Sequence, residues 1–262
     1  MTPVNAKHYL HDDIIRKLTE FKLAELSDYV DELCADPECV NLDFIGKFEV
    51  ITNRLYQNRI NELIKNLLKN ATLREPQASI AGLYYEAERL LSRELMIELG
   101  TCDFMRSQTN IIIEGPTGAG KTYIACAIAK AAVGKCYRVK YIRLPDLQQE
   151  LEDCYHYNRS LKNLKQKYIR PALLVIDEWM MRASSDSLSS FLLDVMEGRY
   201  TTSSTIFCTQ SKQESWHAML GGNTMAEAII DRIVQNSLTI TLGNLNMRAL
   251  RNPLMKYKNV KE

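Results

Sequence analysis

Gly115-Pro116-Thr117-Gly118-Ala119-Gly120-Lys121-Thr122 decides the fold, because its GxxxxGK[ST] spacing forms a loop whose backbone N–H groups wrap the phosphates of a nucleoside triphosphate. The glycines let the backbone approach the phosphates, Lys121 neutralises charge on the β and γ groups, and the Thr122 hydroxyl ligates Mg2+. Such a loop joins a buried strand to a helix whose N-terminus faces the anion. Both neighbours are legible: Asn110-Ile111-Ile112-Ile113-Glu114 reads as the strand. Residues 123–133, with Ile124, Ala127, Ile128 and Ala131 at helical spacing, read as the helix. The expected nucleotide-binding residues are the quoted eight together with Tyr123.

Beyond the loop, strands and helices alternate, the pattern of a mostly parallel α/β sheet covered on both faces. Tyr137, Val139 and Tyr141 alternate with Arg138 and Lys140 as a strand, and residues 145–155 follow as a helix. Residues 172–176 form an apolar strand, 186–197 a helix, 205–208 a strand, 225–234 a helix and 238–242 a last strand, which makes five core strands. Upstream, apolar residues recur at helical spacing from Ile14 to Leu33 and from Phe44 to Leu68. Residues 1–76 therefore read as a small all-α domain that binds a partner or DNA, and 77–262 as the P-loop ATPase domain, parted at the linker Glu75-Pro76-Gln77-Ala78-Ser79. Charge changes sign within the first domain: Glu25, Asp28 and Glu32 precede Arg54, Arg59 and Lys65, as solvated faces or as an interaction surface.

Bulk composition restrains less. Lys and Arg number 33 against 32 Asp and Glu, so net charge neither demands nor excludes a nucleic-acid partner, and only local clusters decide. No segment approaches a membrane-spanning run and the first eight residues carry no apolar leader, so a cytoplasmic location without membrane contact is expected. Seven cysteines, an odd number without a Cys-x-x-Cys pair, read as reduced packing residues.

Asp177-Glu178 closes the third strand, which places two carboxylates at the edge where open α/β sheets bind ligands. Asp177 orients Mg2+, and Glu178 polarises an attacking water. The second carboxylate favours hydrolysis, since an enzyme that phosphorylates a small acceptor must keep water out. Gln210, after the fourth strand, is placed beside Asp177 to contact γ-phosphate or the lytic water, although a polar strand end is also ordinary. Arg232, on an otherwise apolar helix, either reaches a neighbouring subunit's γ-phosphate as an arginine finger or forms an intramolecular ion pair. Arg248 is either a second phosphate sensor or the start of a basic tail with Arg251, Lys256 and Lys258. Residues 155–170 are basic with interleaved tyrosines, and Arg159, Lys162, Lys165 and Lys167 are the candidate DNA contacts. The alternative there is a solvated amphipathic helix with Leu161 and Leu164 packed inward.

Taken in chain order, these stretches resemble the IstB/DnaC branch of the AAA+ ATPases, and IstB-type helper ATPases of two-gene insertion sequences most. The likeness rests on residues 114–127, 141–147 and 174–179, and on the run from Thr209-Gln210 through Trp216-His217 and Asp231-Arg232 to Asn246-Met247-Arg248. The resemblance implies ATP and Mg2+ as cofactors, a short lid, and a homo-oligomer, ring or helical filament, on double-stranded DNA that regulates a cognate transposase. Lys121, Thr122, Asp177, Glu178, Arg232 and Arg248 match family positions, and the family's counterpart of the basic insertion lines the DNA path. Two departures stand out: the family's serine before the C-terminal arginine is Asn246 or Met247, and its Thr-Ser-Gln is Cys208-Thr209-Gln210. Within the branch the alternative is a replicative helicase loader of the DnaC type. Outside it stand a small-molecule kinase, which needs an added acceptor for turnover, and a binding module that uses ATP only as an assembly switch.

Overall fold

A computed structural model describes residues 10–39 and 41–250. The expected leader-free stretch 1–8 and the tail residues Arg251, Lys256 and Lys258 lie outside the described residues. The chain divides into two compact units, Met1–Lys65 and Asn66–Glu262, a division upstream of the Glu75 linker read from the sequence. It falls inside a helix, where no proline or glycine marks it.

The first unit contains helices α1 (Asp12–Glu20) and α2 (Glu25–Ala35) and, through Lys65, helix α3 (Phe44–Ala71). The change of charge sign has a local explanation: α2 and α3 pair with each other. Arg59 meets Glu25 at 2.7 Å, Arg54 meets Glu32, and the Arg54 guanidinium lies 4.9 Å from the Tyr29 ring centroid.

The second unit is built on five parallel strands: β1 (Asn110–Glu114), β2 (Val139–Arg143), β3 (Leu173–Trp179), β4 (Ser204–Thr209) and β5 (Ser237–Thr241), in the order β2-β3-β4-β1-β5. Each strand lies close to its predicted place; in β1 and β3 near-continuous apolar runs such as Ile111-Ile112-Ile113 suit strands buried on both faces. Successive side chains alternate between faces. On one face Ile112, Ile142, Leu174, Ile176 and Phe207 pack with α6 (Leu144–His156), α7 (Leu161–Ile169), α8 (Asp186–Arg199) and α10 (Thr224–Val234). Helix α5 (Lys121–Gly134), from which Ile124 to Ala129 are fully buried, packs on the sheet as well and meets α4 (Arg93–Gly100), while α9 (Trp216–Met219) carries Trp216 into the core. Side-chain caps start several helices: Ser160 accepts from Asn163 N for α7, Ser185 from Leu188 N for α8 and Asn223 from Ala226 N for α10.

The basic insertion splits into two helices: it comprises the end of α6, a turn with Asn158 at φ 49°, and α7, whose Leu161 and Leu164 pack against the core as the amphipathic reading expects. Arg199, near the end of α8, is buried and donates to the backbone carbonyls of Tyr168, Ile169, Pro171 and Ser204 and to Thr205 Oγ1. It ties the end of α7 to the start of β4. Burial pushes its pKa down to about 9, still above neutral pH. Among the described residues no helix is long and apolar enough to cross a membrane.

Candidate functional site

Parallel strands bring every C-terminal end to one edge of the sheet, and a cleft of about 1090 Å³ opens there. The turn after β1 is the glycine loop. Gly118 at φ 88° and Gly120 at φ 90° occupy the left-handed region, where any side chain is strained. A Cβ at Gly118 would lie 2.5 Å from Asn246 Oδ1, and one at Gly120 would lie 2.8 Å from Arg89 Nη2. The backbone conformation, more than these movable side-chain ends, is what calls for glycine at both positions.

Thr122, in the first turn of α5, donates from Oγ1 to Asp177 Oδ2 at 2.7 Å. Register places Asp177 opposite Arg143 on β2, with Tyr141 two residues earlier on the same face, and Tyr141 OH donates to the same Asp177 oxygen at 2.8 Å. Burial, then the Asp177 charge, pushes the Tyr141 pKa well up, so the phenol remains a donor. Asp177 Oδ1 accepts from Glu178 N at 2.8 Å. The carboxylate is thus fixed from three directions. Among the described residues no group of three or more His, Cys, Asp and Glu is arranged to hold a metal. The hydroxyl and carboxylate of Thr122 and Asp177 instead form a sparse set of hard oxygen donors, which fits Mg2+, an ion that keeps waters and phosphate oxygens in its shell.

Glu178 follows at φ 58°, beside a register irregularity between Ile176 and Trp179. Its Oε1 lies 3.2 Å from Arg74 Nη1 and 3.7 Å from Arg143 Nη1, while Arg143 itself clasps Asp146 with two hydrogen bonds. Lys121 donates from Nζ to the carbonyls of Gly115 and Pro116 at 2.7 and 2.9 Å. Burial lowers its pKa, with nearby Arg248 acting in the same direction. Gln210 reaches the loop, its Oε1 accepting from Thr117 Oγ1 at 2.6 Å.

The short helix α11 (Met247–Leu250) docks on the loop: Met247 N donates to Gly118 O at 2.9 Å, and Asn246 Oδ1 caps the helix by accepting from Arg248 N and Ala249 N. Arg248 lines the cleft beside Lys121, Thr122, Asp177, Glu178 and Gln210. Arg232 is not among the cleft residues; it pairs with Glu197 on α8 and donates to Ala228 O.

The insertion candidates divide. Lys165 pairs with Asp194 at 2.5 Å and Lys167 with Glu150 at 2.6 Å, whereas Arg159 packs over the Tyr157 ring and Lys162 is exposed. Sequence reasoning missed Arg74, Arg89 and Tyr141. Arg89, only 2 % exposed, donates to Tyr84 O at 2.6 Å and lies against Gly120 at the cleft wall. Only Tyr141 had a local signal, its place on a strand two residues from the end that faces Asp177.

The sequence matches the family described as IstB-like ATP binding protein over residues 16–253. An insertion-sequence ATP-binding protein of Sinorhizobium fredii is 30% identical over 236 residues, covering 90% of this chain and 94% of that protein. The insertion sequence IS21 ATP-binding protein of Pseudomonas aeruginosa is 25% identical over 232 residues, covering 88% and 86%. Among solved structures, AMPPCP-bound DnaA from Aquifex aeolicus superposes with a TM-score of 0.56 at 18% identity, covering 72% of this chain and 56% of that one. The DnaC helicase loader gives 0.53 at 20%, covering 63% and 97%. Both share the fold.

Proposed function

The chain belongs to the IstB-like ATP binding protein family of AAA+ ATPases, and from that premise we propose that it hydrolyses ATP with Mg2+ while assembled on double-stranded DNA, regulating the transposase of an insertion sequence. The observation that carries the hydrolytic part is the Thr122–Asp177 contact at 2.7 Å with Glu178 next in the chain, at the mouth of the glycine loop. Mg2+, when bound, neutralises charge on the β- and γ-phosphate oxygens. Thr122 and Asp177 hold it, Lys121 meets the same phosphates, and Glu178 takes a proton from the water aimed at the γ-phosphorus. Gln210 contacts the γ-phosphate or that water, and Arg248, which lines the same cleft, contacts the phosphates. Arg232 completes the site of a neighbouring copy, leaving Glu197 to do so.

The DNA and transposase parts rest on other support: the relatives are named for insertion sequences, and the basic segment with Arg159, Lys162, Lys165 and Lys167 gathers cations locally on a near-neutral chain, of which Arg159 and Lys162 form no ion pair among the described residues. A helicase loader of the same branch would prefer single strands. The test is phosphate release without any added acceptor. Lys121→Ala is expected to abolish ATP binding, and Glu178→Gln to keep binding and lose turnover. Undiminished turnover in Glu178→Gln sinks the assignment of the base, and dependence on an added acceptor sinks hydrolysis. Imaging with ATP, with and without duplex DNA, tests the assembly.

A further inference from the structure

A second cavity, of about 420 Å³, opens at the amino edge of the sheet, where β2 begins and α7 ends, the opposite edge from the glycine loop. Four cations line it: Arg138, Lys140, Lys167 and Arg170. Asn70, Asn163 and Gln166 add amide donors. One carboxylate answers the four cations, since Glu150 Oε2 meets Lys167 Nζ at 2.6 Å and accepts from Tyr168 OH at 2.6 Å. Lys140 donates to Thr72 Oγ1 at 3.0 Å, and Arg170 donates through Nε to Gln166, which leaves its two terminal nitrogens. Among the described residues the Arg138 guanidinium has no ion pair. Burial and the neighbouring Lys167 charge hold the Lys140 pKa below its usual value. Cations gathered around one hollow repel each other, and an anion between them removes that repulsion.

We propose that this cavity grips the phosphodiester backbone of double-stranded DNA, an assignment that rests on the DNA-binding reading above and moves its centre from the exposed side of α7 to the Arg138–Arg170 wall. Charge complementarity selects the occupant. The cavity is open, rich in guanidinium and amide donors, and carries no acidic side chain on its lining, as phosphate recognition requires. Lys165, bound to Asp194, faces a different hollow and contributes little.

The full chain, with a non-hydrolysable ATP analogue, is titrated against a labelled duplex across a salt series. Arg138→Gln combined with Arg170→Gln is expected to flatten the slope of log K against log salt by up to ~1.8 units per subunit, at about 0.9 for each phosphate no longer neutralised. ATP turnover without DNA is expected to stay at the wild-type level. Glu150→Gln removes the opposing carboxylate while keeping an acceptor for Tyr168, and is expected to tighten duplex binding, a gain that misfolding cannot imitate. If the wild-type chain binds duplex and both variants keep its affinity and slope, this site is wrong and the functional reading survives. If the wild-type chain binds no duplex, the functional reading fails and the site falls with it. Protection by inorganic phosphate in the wild type but not the double variant, with the DNA slope unchanged, would overturn the DNA assignment in favour of a small anion.

Discussion

Removing Arg74 should speed hydrolysis. Its guanidinium lies 3.2 Å from Glu178 Oε1, and the Arg143 guanidinium stands farther away at 3.7 Å with its stronger hydrogen bonds already given to Asp146. Burial works against the Arg74 charge, but its contacts with Tyr141 and Glu178 outweigh it and raise its pKa, so the guanidinium stays charged. A carboxylate clasped this way must leave its partner before it can take a proton from water. The partners are 44% and 27% exposed, and a pair of that exposure is worth about 0.2–1 kcal/mol. If that energy is part of the barrier, Arg74→Ala raises kcat by about 1.4- to 5-fold. The assay is steady-state phosphate release at saturating ATP, which separates turnover from any loss of affinity at the cleft wall. Added salt should raise wild-type kcat toward that of the variant and leave the variant itself unmoved. A kcat equal to or below wild type, with ATP saturation confirmed, refutes the argument and makes Arg74 part of the productive site.

Three further outcomes are expected. Arg232→Ala and Glu178→Gln, each inactive alone, should regain turnover when mixed if Arg232 works across an interface, where a finger is worth ~10³ or more; co-assembly without recovery at any ratio confines Arg232 to its ion pair with Glu197. Arg199→Met should lower the free energy of urea unfolding by at least about 1–3 kcal/mol, because four carbonyls and the Thr205 hydroxyl lose a buried cationic donor; an unchanged midpoint would mean those groups find other partners. In thiol labelling of the native protein, exposed Cys34 should react first, while Cys102, Cys126, Cys154 and Cys208 resist until unfolding, Cys126 with its pKa pushed up to about 11 by burial; fast labelling of Cys126 or Cys208 would show that α5 or β4 opens readily.

What could be read from the chain was whatever a short window encodes. The glycine loop, the Asp177-Glu178 strand end and the β1 boundaries each depend on residues a few positions apart; β1 and β3 are legible because buried parallel strands are near-continuously apolar, and β2 because its apolar residues alternate with cations. What stayed hidden depends on contacts across long separations. Arg74 meets Glu178 from 104 positions away, and nothing around Arg74 distinguishes it from the cations of α3 just upstream. Arg89 sits in a three-residue helical turn without periodicity, so its burial against Gly120 had no local sign. Lys165 and Lys167 looked equivalent to Lys162 by composition, yet Asp194 and Glu150 neutralise two of the three.

Glu178, the proposed base, sits on a backbone at φ 58°, a region that disfavours residues with a Cβ by about 1–2 kcal/mol. Glycine there would give a sturdier molecule, and asparagine would be better tolerated than glutamate. Stability and turnover therefore pull position 178 in opposite directions. A library of this chain selected only for resistance to heat should drift to glycine or asparagine at 178 and lose hydrolysis before the fold shows any other change, whereas one selected for turnover should keep the strained glutamate and accept a lower melting temperature.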